Sequence, residues 1–222
     1  MAIEIFWGSG SPFSWRVLLA LAVKNIPYES KLVEFSKGMH KSPEYLKINP
    51  RSKVPALRDG EFTLYESLAI LQYLEKVHPT PALFGSTAAE TGKIMQWVSE
   101  CDNYLAPAVE GFTLPIYFGQ LNDSTRSAVL EAGQNALAEL SRVEERYERG
   151  NYLLGDSITA ADICYYPLLL GVLRAAGKPA AASLELGVLP LEKRFPRLAA
   201  WAKRIEALPG YEKTYPPHWR AG

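Results

Sequence analysis

Four short runs in this 222-residue chain carry the residue types that could do chemistry on a small polar ligand. In Asn49-Pro-Arg-Ser-Lys-Val-Pro-Ala-Leu57, the cation Lys53 stands directly before the pre-proline backbone of Val54-Pro55. In Leu64-Tyr-Glu-Ser-Leu-Ala-Ile70, Glu66-Ser67 opens a helical pattern, so free backbone N–H groups and a hydroxyl fall together there. A backbone able to pair with an extended peptide, a helix N-terminus and a cation thus lie within about fifteen residues, a set suited to a small zwitterionic peptide. Upstream, Ser9, Ser11 and Ser14 cluster in Gly8-Ser-Gly-Ser-Pro-Phe-Ser14 just before another helical run, where serine commonly caps. His40-Lys41 adds a titratable ring and a second cation.

The elements that must position these groups are legible from periodicity and turn residues. Ile3 to Trp7 is a β-rich run, broken by Gly8 to Pro12, and Trp15 to Val23 follows with helical spacing through Trp15, Leu18, Leu19 and Ala22. Ser30 to Phe35 reads as a second strand. Val54 to Arg58 and Glu61 to Tyr65 flank Asp59-Gly60, a tight hairpin dipeptide. Ser67 to Val77 closes this unit as a helix with Leu68, Leu71 and Leu74 on one face. That order describes a small mixed sheet covered by helices.

His78-Pro-Thr-Pro-Ala-Leu-Phe-Gly85 cannot continue a helix and sets a domain boundary. Everything after about Ala88 reads as helix. Ser124 is placed to cap a long helix with Val129, Ala136, Leu140, Val143 and Tyr147 on one face. In Ile158-Thr-Ala-Ala-Asp162, Thr159 is an N-cap, Asp162 can reach back to it and Ile158 sits where a hydrophobic staple would. Pro196 opens a further helix. The expected fold class is α/β plus all-α, with one domain over 1–80 and a helical domain over 89–222.

Composition excludes several classes. Lys plus Arg equals Asp plus Glu at 24 each, so no overall field favours nucleic acid or an anionic membrane. Two cysteines, Cys101 and Cys164, do not make a disulfide framework and point to a reducing compartment. The N-terminus reads as a strand, not a signal peptide, and no apolar run approaches the ~18 residues of a membrane span. A soluble, cytoplasmic protein is expected.

Over nearly its whole length the chain resembles the cytosolic glutathione transferases. The resemblance rests on Gly10-Ser-Pro-Phe-Ser-Trp-Arg-Val17, His40-Lys-Ser-Pro-Glu-Tyr-Leu46, Asn49 to Leu57, Tyr65-Glu-Ser-Leu68 and Ile158 to Asp162, in the order and spacing of that family. It implies a thioredoxin-like domain followed by a helical bundle, a homodimer, glutathione as co-substrate and no metal, nucleic-acid or membrane partner. The first run is most similar to serine-type members, and the family residue that contacts the glutathione thiol falls on Ser11, with Ser9 and Ser14 as alternatives. A hydroxyl donor at a helix N-terminus would favour the thiolate, whose parent thiol has a pKa near ~8.5. The absence of Cys from that run argues against the classes that form mixed disulfides with glutathione.

The same resemblance implies a cis Val54-Pro55 bond, with Val54 pairing the cysteinyl backbone of glutathione. Glu66 would take the γ-glutamyl ammonium, Ser67 its carboxylate, and His40, Lys41 and Lys53 the glycine carboxylate. Apolar residues, with Phe13, Tyr104 and Tyr166 foremost and Phe112, Tyr117 and Trp219 besides, would wall a pocket for a small hydrophobic electrophile between the domains. Asp162 belongs to the helix cap. Class features are mixed: Ser-Trp-Arg-Val is zeta-like, His40-Lys41 phi-like and Lys53 tau-like. The alternatives are a zeta-like glutathione-dependent isomerase of maleylacetoacetate type and a non-catalytic scaffold that kept the fold.

Overall fold

The computed structural model describes residues 2–147 and 150–220 and divides into two compact units, Met1–Leu83 with Ala207–Gly222, and Phe84–Glu206. The second unit therefore ends at Glu206, where periodicity alone runs it to residue 222.

The first unit contains β1 (Ile3–Trp7), α1 (Pro12–Val23), β2 (Tyr28–Leu32), α2 (Pro43–Ile48), β3 (Ala56–Asp59), β4 (Phe62–Tyr65) and α3 (Ser67–Val77). Its four strands run in the order β2-β1-β3-β4, with β1 parallel to β2 and both other pairings antiparallel. The β3–β4 hairpin pairs Asp59 with Phe62, and Gly60, the first loop residue, takes the positive φ of 60° that such loops require. The second strand begins at Tyr28, earlier than the expected Ser30, and stops at Leu32. Its partner β1 ends at Trp7, which pairs with Leu32, and after one more bond from Val33 N–H to the Trp7 carbonyl the chain turns into a 3-10 turn at Phe35–Lys37.

The first helix starts at Pro12, a residue suited to the first turn because it has no N–H to leave unpaired. It shows no simple amphipathic stripe: Ser14 through Leu21 are all buried. The cause lies at the far end of the chain. A short helix α10 (Tyr211–Thr214) and the residues after it wrap Trp15, whose indole N–H donates to Thr214 Oγ1 at 2.9 Å. Tyr215 and Trp219 meet the same indole edge-on, at 5.7 and 5.4 Å between ring centres. At the other end of α1 the Lys24 ammonium, buried, sits 2.7 Å from Glu75 and donates to the carbonyls of His78 and Pro81. That cluster pins the exit of α3 and the proline-rich segment onto α1.

The second unit is helical: α4 (Ala88–Glu100), a π-helical turn over Cys101–Leu105, α5 (Ala106–Tyr117), α6 (Arg126–Arg146), α7 (Ala160–Ala176), α8 (Leu191–Arg194) and α9 (Pro196–Glu206). The α7 start follows the sequence reading. Asp162 accepts from Thr159 N–H and hydroxyl, and also from Leu153 N–H and the Trp201 indole, all within 2.9 Å. The α6 start differs: its N-cap position is Thr125, while the Ser124 hydroxyl is held by Asn122 Oδ1 at 2.6 Å. Tyr147, expected on the α6 face, stays buried but lies just past the helix end in extended backbone. Among the described residues no helix is long and apolar enough to cross a membrane.

Candidate functional site

The candidate site lies on the first unit, where β1 gives way to α1 and β2, and where β3 and α3 begin. Gly8 is at its centre. A side chain there would collide with Phe35 at 2.7 Å and Val54 at 3.0 Å, so a glycine is what lets the serine turn, Val54 and the Phe35 ring meet. His40 stacks edge-on against Phe35, 4.6 Å between ring centres. The β3–β4 pairing of Ala56 with Tyr65 sets the residues just before β3 beside the start of α3. The separate sequence runs thus form one continuous surface.

The three serines have different duties. Ser14 is wholly buried and its Oγ accepts from Gly8 N–H at 3.2 Å, closing the strand-to-helix turn. Ser9 shares a 2.7 Å hydrogen bond with His218 Nδ1. Ser11 is the N-cap of α1; its Oγ accepts from Ser14 N–H at 3.2 Å, and among the described residues its own hydroxyl proton has no acceptor. A half-buried hydroxyl with a donor to spare, at the positive end of a helix, is suited to an anion.

Val54-Pro55 is cis. Among the described residues neither the N–H nor the C=O of Val54 is hydrogen-bonded, although the residue is half-buried. A backbone donor and acceptor left open side by side form a strand edge for an added peptide. The preceding carbonyl is fixed twice: Lys53 C=O accepts from the Tyr45 phenol at 2.6 Å and from Asn49 Nδ2 at 2.7 Å. Burial pushes the Tyr45 phenol up to about 12, so it stays a donor across the physiological range. Ser52 Oγ donates to His40 C=O at 2.7 Å and so ties this loop to the 3-10 turn Met39–Lys41.

Glu66 stands immediately before α3 with φ 72° and ψ 118°, a conformation that costs free energy for any residue with a Cβ and that clusters at ligand clamps. Its carboxylate is exposed and makes no ion pair among the described residues. Ser67 is buried, at the first helical position, with its hydroxyl likewise without a partner among them. Lys41 and Lys53 are exposed and, among the described residues, unpaired with any carboxylate. His40 is half-buried and its Nδ1 is buried without a hydrogen bond. The surface therefore offers separated cations, one carboxylate, a helix N-terminus and an open strand edge, the complement of an extended zwitterionic peptide.

Comparison with known proteins shows the family. Residues 10–77 match the family model for the glutathione S-transferase N-terminal domain, and residues 101–209 that for the C-terminal domain. Glutathione S-transferase A of Pleuronectes platessa is 32% identical, over 98% of this chain and 92% of that protein. The chain belongs to the glutathione S-transferase family. Human glutathione S-transferase theta-2 is 31% identical over 98% of this chain and 86% of its own length. Among solved structures, a glutathione S-transferase from the Antarctic clam Laternula elliptica superposes with a TM-score of 0.82 at 30% identity, covering 100% of this chain and 95% of that one. A Pseudomonas fluorescens family member, solved with two glutathione bound, shares the fold at a TM-score of 0.82 and 22% identity, over 96% and 92% of the two chains.

The residues expected to wall a second-substrate pocket differ in exposure. Phe13 is half-buried beside Ser11, with the Arg16 guanidinium 4.8 Å from its ring centre. Tyr104 is 59% exposed and lines a cleft of about 520 Å³ with Pro107, Ala132 and Arg142. Tyr166 corrects the sequence reading: it is fully buried, edge-on to Trp201 at 5.9 Å, with its hydroxyl directed to Glu206 at 3.4 Å. Its ring is part of the helical core and has no surface left for a ligand. Phe112 is equally buried, and Trp219 packs on Trp15 in the first unit.

Sequence reasoning misses three residues. Tyr45 and Asn49 lie inside the runs that carry the resemblance, and an Asn followed by Pro signals a structured loop, but nothing local shows that both converge on one carbonyl. His218 lies in the tail, 209 residues from its partner Ser9, and has no signal in the sequence at all.

Proposed function

We propose that this family member catalyses conjugation of the glutathione thiolate to small hydrophobic electrophiles. The observation that carries this reading is the Ser11 hydroxyl, capping α1 with its proton uncommitted, on the same surface as the open Val54 backbone. Glutathione lies extended, its cysteinyl N–H and C=O paired with Val54 as an added strand. Glu66 takes the γ-glutamyl ammonium. Ser67 and the first N–H groups of α3 take the adjacent carboxylate, while His40, Lys41 and Lys53 hold the glycine carboxylate. These contacts deliver the sulfur to Ser11.

There the hydroxyl and the α1 N-terminus stabilise the thiolate, the nucleophilic form, and the thiol proton is lost to solvent. With an aryl halide, sulfur bonds to the ring carbon and halide leaves with its bonding pair. Fixed orientation and a pre-formed donor supply the acceleration. Phe13 offers the apolar flank nearest the sulfur. A homodimer in the cytoplasm is the expected setting.

The test is glutathione binding and turnover of a generic aryl halide by wild type and Ser11→Ala. Binding with no conjugation sinks the transferase reading, and unchanged turnover in the variant sinks the role of Ser11. Isomerisation of maleylacetone in place of conjugation favours the isomerase.

A further inference from the structure

The turn that presents Ser11 is held from outside by the end of the chain. Gly8 to Ser11 form a tight turn, closed by Ser11 N–H to Gly8 C=O at 3.1 Å, with Ser9 and Gly10 at its tip. Gly10 has a φ of 83°, so half of the tip is the most permissive residue type, with no side chain to anchor it. Its anchor is His218. The imidazole Nδ1 lies 2.7 Å from Ser9 Oγ, and the ring covers Gly10 so closely that a Cβ there would sit 2.9 Å from His218 Cε1. Both tip residues are therefore touched by one side chain from the other end of the sequence.

The segment that carries His218 is itself fixed. Thr214 is buried, accepts from Trp15 and donates to Tyr211 C=O at 2.8 Å. Pro216 and Pro217 limit the backbone ahead of the histidine, and Trp219 N–H bonds Pro216 C=O at 2.9 Å. Trp219, buried, packs edge-on against both Trp15 and Tyr215. Between these buried anchors His218 is exposed. Burying Trp15 requires no such ring at an exposed turn, since Thr214, Tyr215 and Trp219 already cover it.

We infer that His218 is a positioning residue of the reaction site: by bonding Ser9 and covering Gly10 it fixes the turn from which the Ser11 hydroxyl meets the glutathione thiol. The inference rests on the transferase reading. Its logic is geometric, because the reacting sulfur and its hydroxyl donor must be placed to a fraction of an ångström, and the glycine at the tip supplies no rigidity.

The experiment compares wild type, His218→Ala, His218→Asn, Ser9→Ala and the His218→Ala/Ser9→Ala double variant with the aryl halide. Measured for each are kcat, KM for glutathione, the ultraviolet thiolate absorbance of bound glutathione at neutral pH, and Tm. His218→Ala is expected to lose about tenfold in kcat, the worth of one hydrogen bond of ordinary strength, and part of the thiolate absorbance. KM for glutathione stays within about twofold, because the tripeptide contacts are elsewhere. Asn, whose amide oxygen can replace Nδ1, restores most of the loss. Ser9→Ala shows a loss in the same quantities but no larger than that of His218→Ala, since it leaves the ring over Gly10, and the double variant loses no more than His218→Ala because the shared bond is removed once.

Wild-type kcat and thiolate absorbance in His218→Ala overturn the inference, and so does a loss that follows Tm without rescue by Asn. Ser9→Ala, a substitution at a turn tip, decides the matter if His218→Ala fails to fold. A wild type that binds glutathione without conjugating it overturns the transferase reading and this inference together. Turnover in wild type with no effect of His218→Ala overturns this inference alone.

Discussion

Asn49→Ala separates the loop that presents Val54 from the chemistry proposed at Ser11. Asn49 is 2% exposed; its Nδ2 donates to Lys53 C=O at 2.7 Å and its Oδ1 accepts from Arg51 N–H at 3.0 Å. Truncation removes both bonds, at about 1 kcal/mol net each, so about 2 kcal/mol of stability is lost. In a chain of this size 1 kcal/mol moves Tm by about 2–4 °C, which gives a fall of about 4–8 °C by scanning fluorimetry or calorimetry. The Tyr45 phenol still holds the Lys53 carbonyl, so the loop loosens without being lost. Because Val54 follows that carbonyl directly, the added-strand bonds to the tripeptide weaken, and KM for glutathione rises about tenfold with kcat reduced less. Steady-state kinetics with glutathione varied at fixed aryl halide reads this out. A Tm fall of the stated size with KM unchanged would refute the idea that this clamp positions Val54 for glutathione. An unchanged Tm would refute the hydrogen-bond arithmetic itself.

Three further outcomes are expected. Ser11→Ala should lower kcat about tenfold to a hundredfold, the worth of one hydrogen bond to an anion, with a small change in KM; stopped-assay rates at saturating glutathione check it. Lys24→Met leaves Glu75 and two backbone carbonyls without their buried cation, a loss of about 3–5 kcal/mol, so Tm should drop on the order of 10 °C. The Glu90 carboxylate is held below its ordinary value of 4.5, chiefly by the Ser86 backbone N–H, then by the Ser86 hydroxyl and Thr87. A depressed carboxyl favours the fold above its unfolded value and loses that contribution as pH falls through the folded one. Glu90→Gln should therefore flatten the decline of Tm below about pH 4.5, and an acid melt with the same slope as wild type would count against it.

Much of the candidate site is legible in the sequence, and particular residues show why. Val54-Pro55, Glu66-Ser67 and the Ser11 turn lie at element junctions, and junctions are written locally in proline, glycine and capping residues. The choice among Ser9, Ser11 and Ser14 is not legible there. All three are equally good caps in sequence; in the fold Ser14 is wholly buried and accepts from Gly8, Ser9 is held by His218, and Ser11 is half-buried with no acceptor for its proton among the described residues. Tyr166 misleads for a related reason. An aromatic at helical spacing looks the same whether it lines a pocket or fills a core, and only its contact with Trp201 and its full burial tell them apart.

The order of elements, the hairpin at Asp59-Gly60, the Thr159–Asp162 cap and the break after His78 all follow from local sequence, because each depends on interactions within a few residues along the chain. Long-range packing is what returns residues 207–220 to the first unit, buries α1 almost all round, and stands His218 over the Ser11 turn. Those contacts join residues about two hundred positions apart. Nothing in local propensity or periodicity records which distant side chains share a surface, so it is the packing of Trp15 by Thr214, Tyr215 and Trp219 in the fold that sets His218 beside the turn at Ser9 and Gly10.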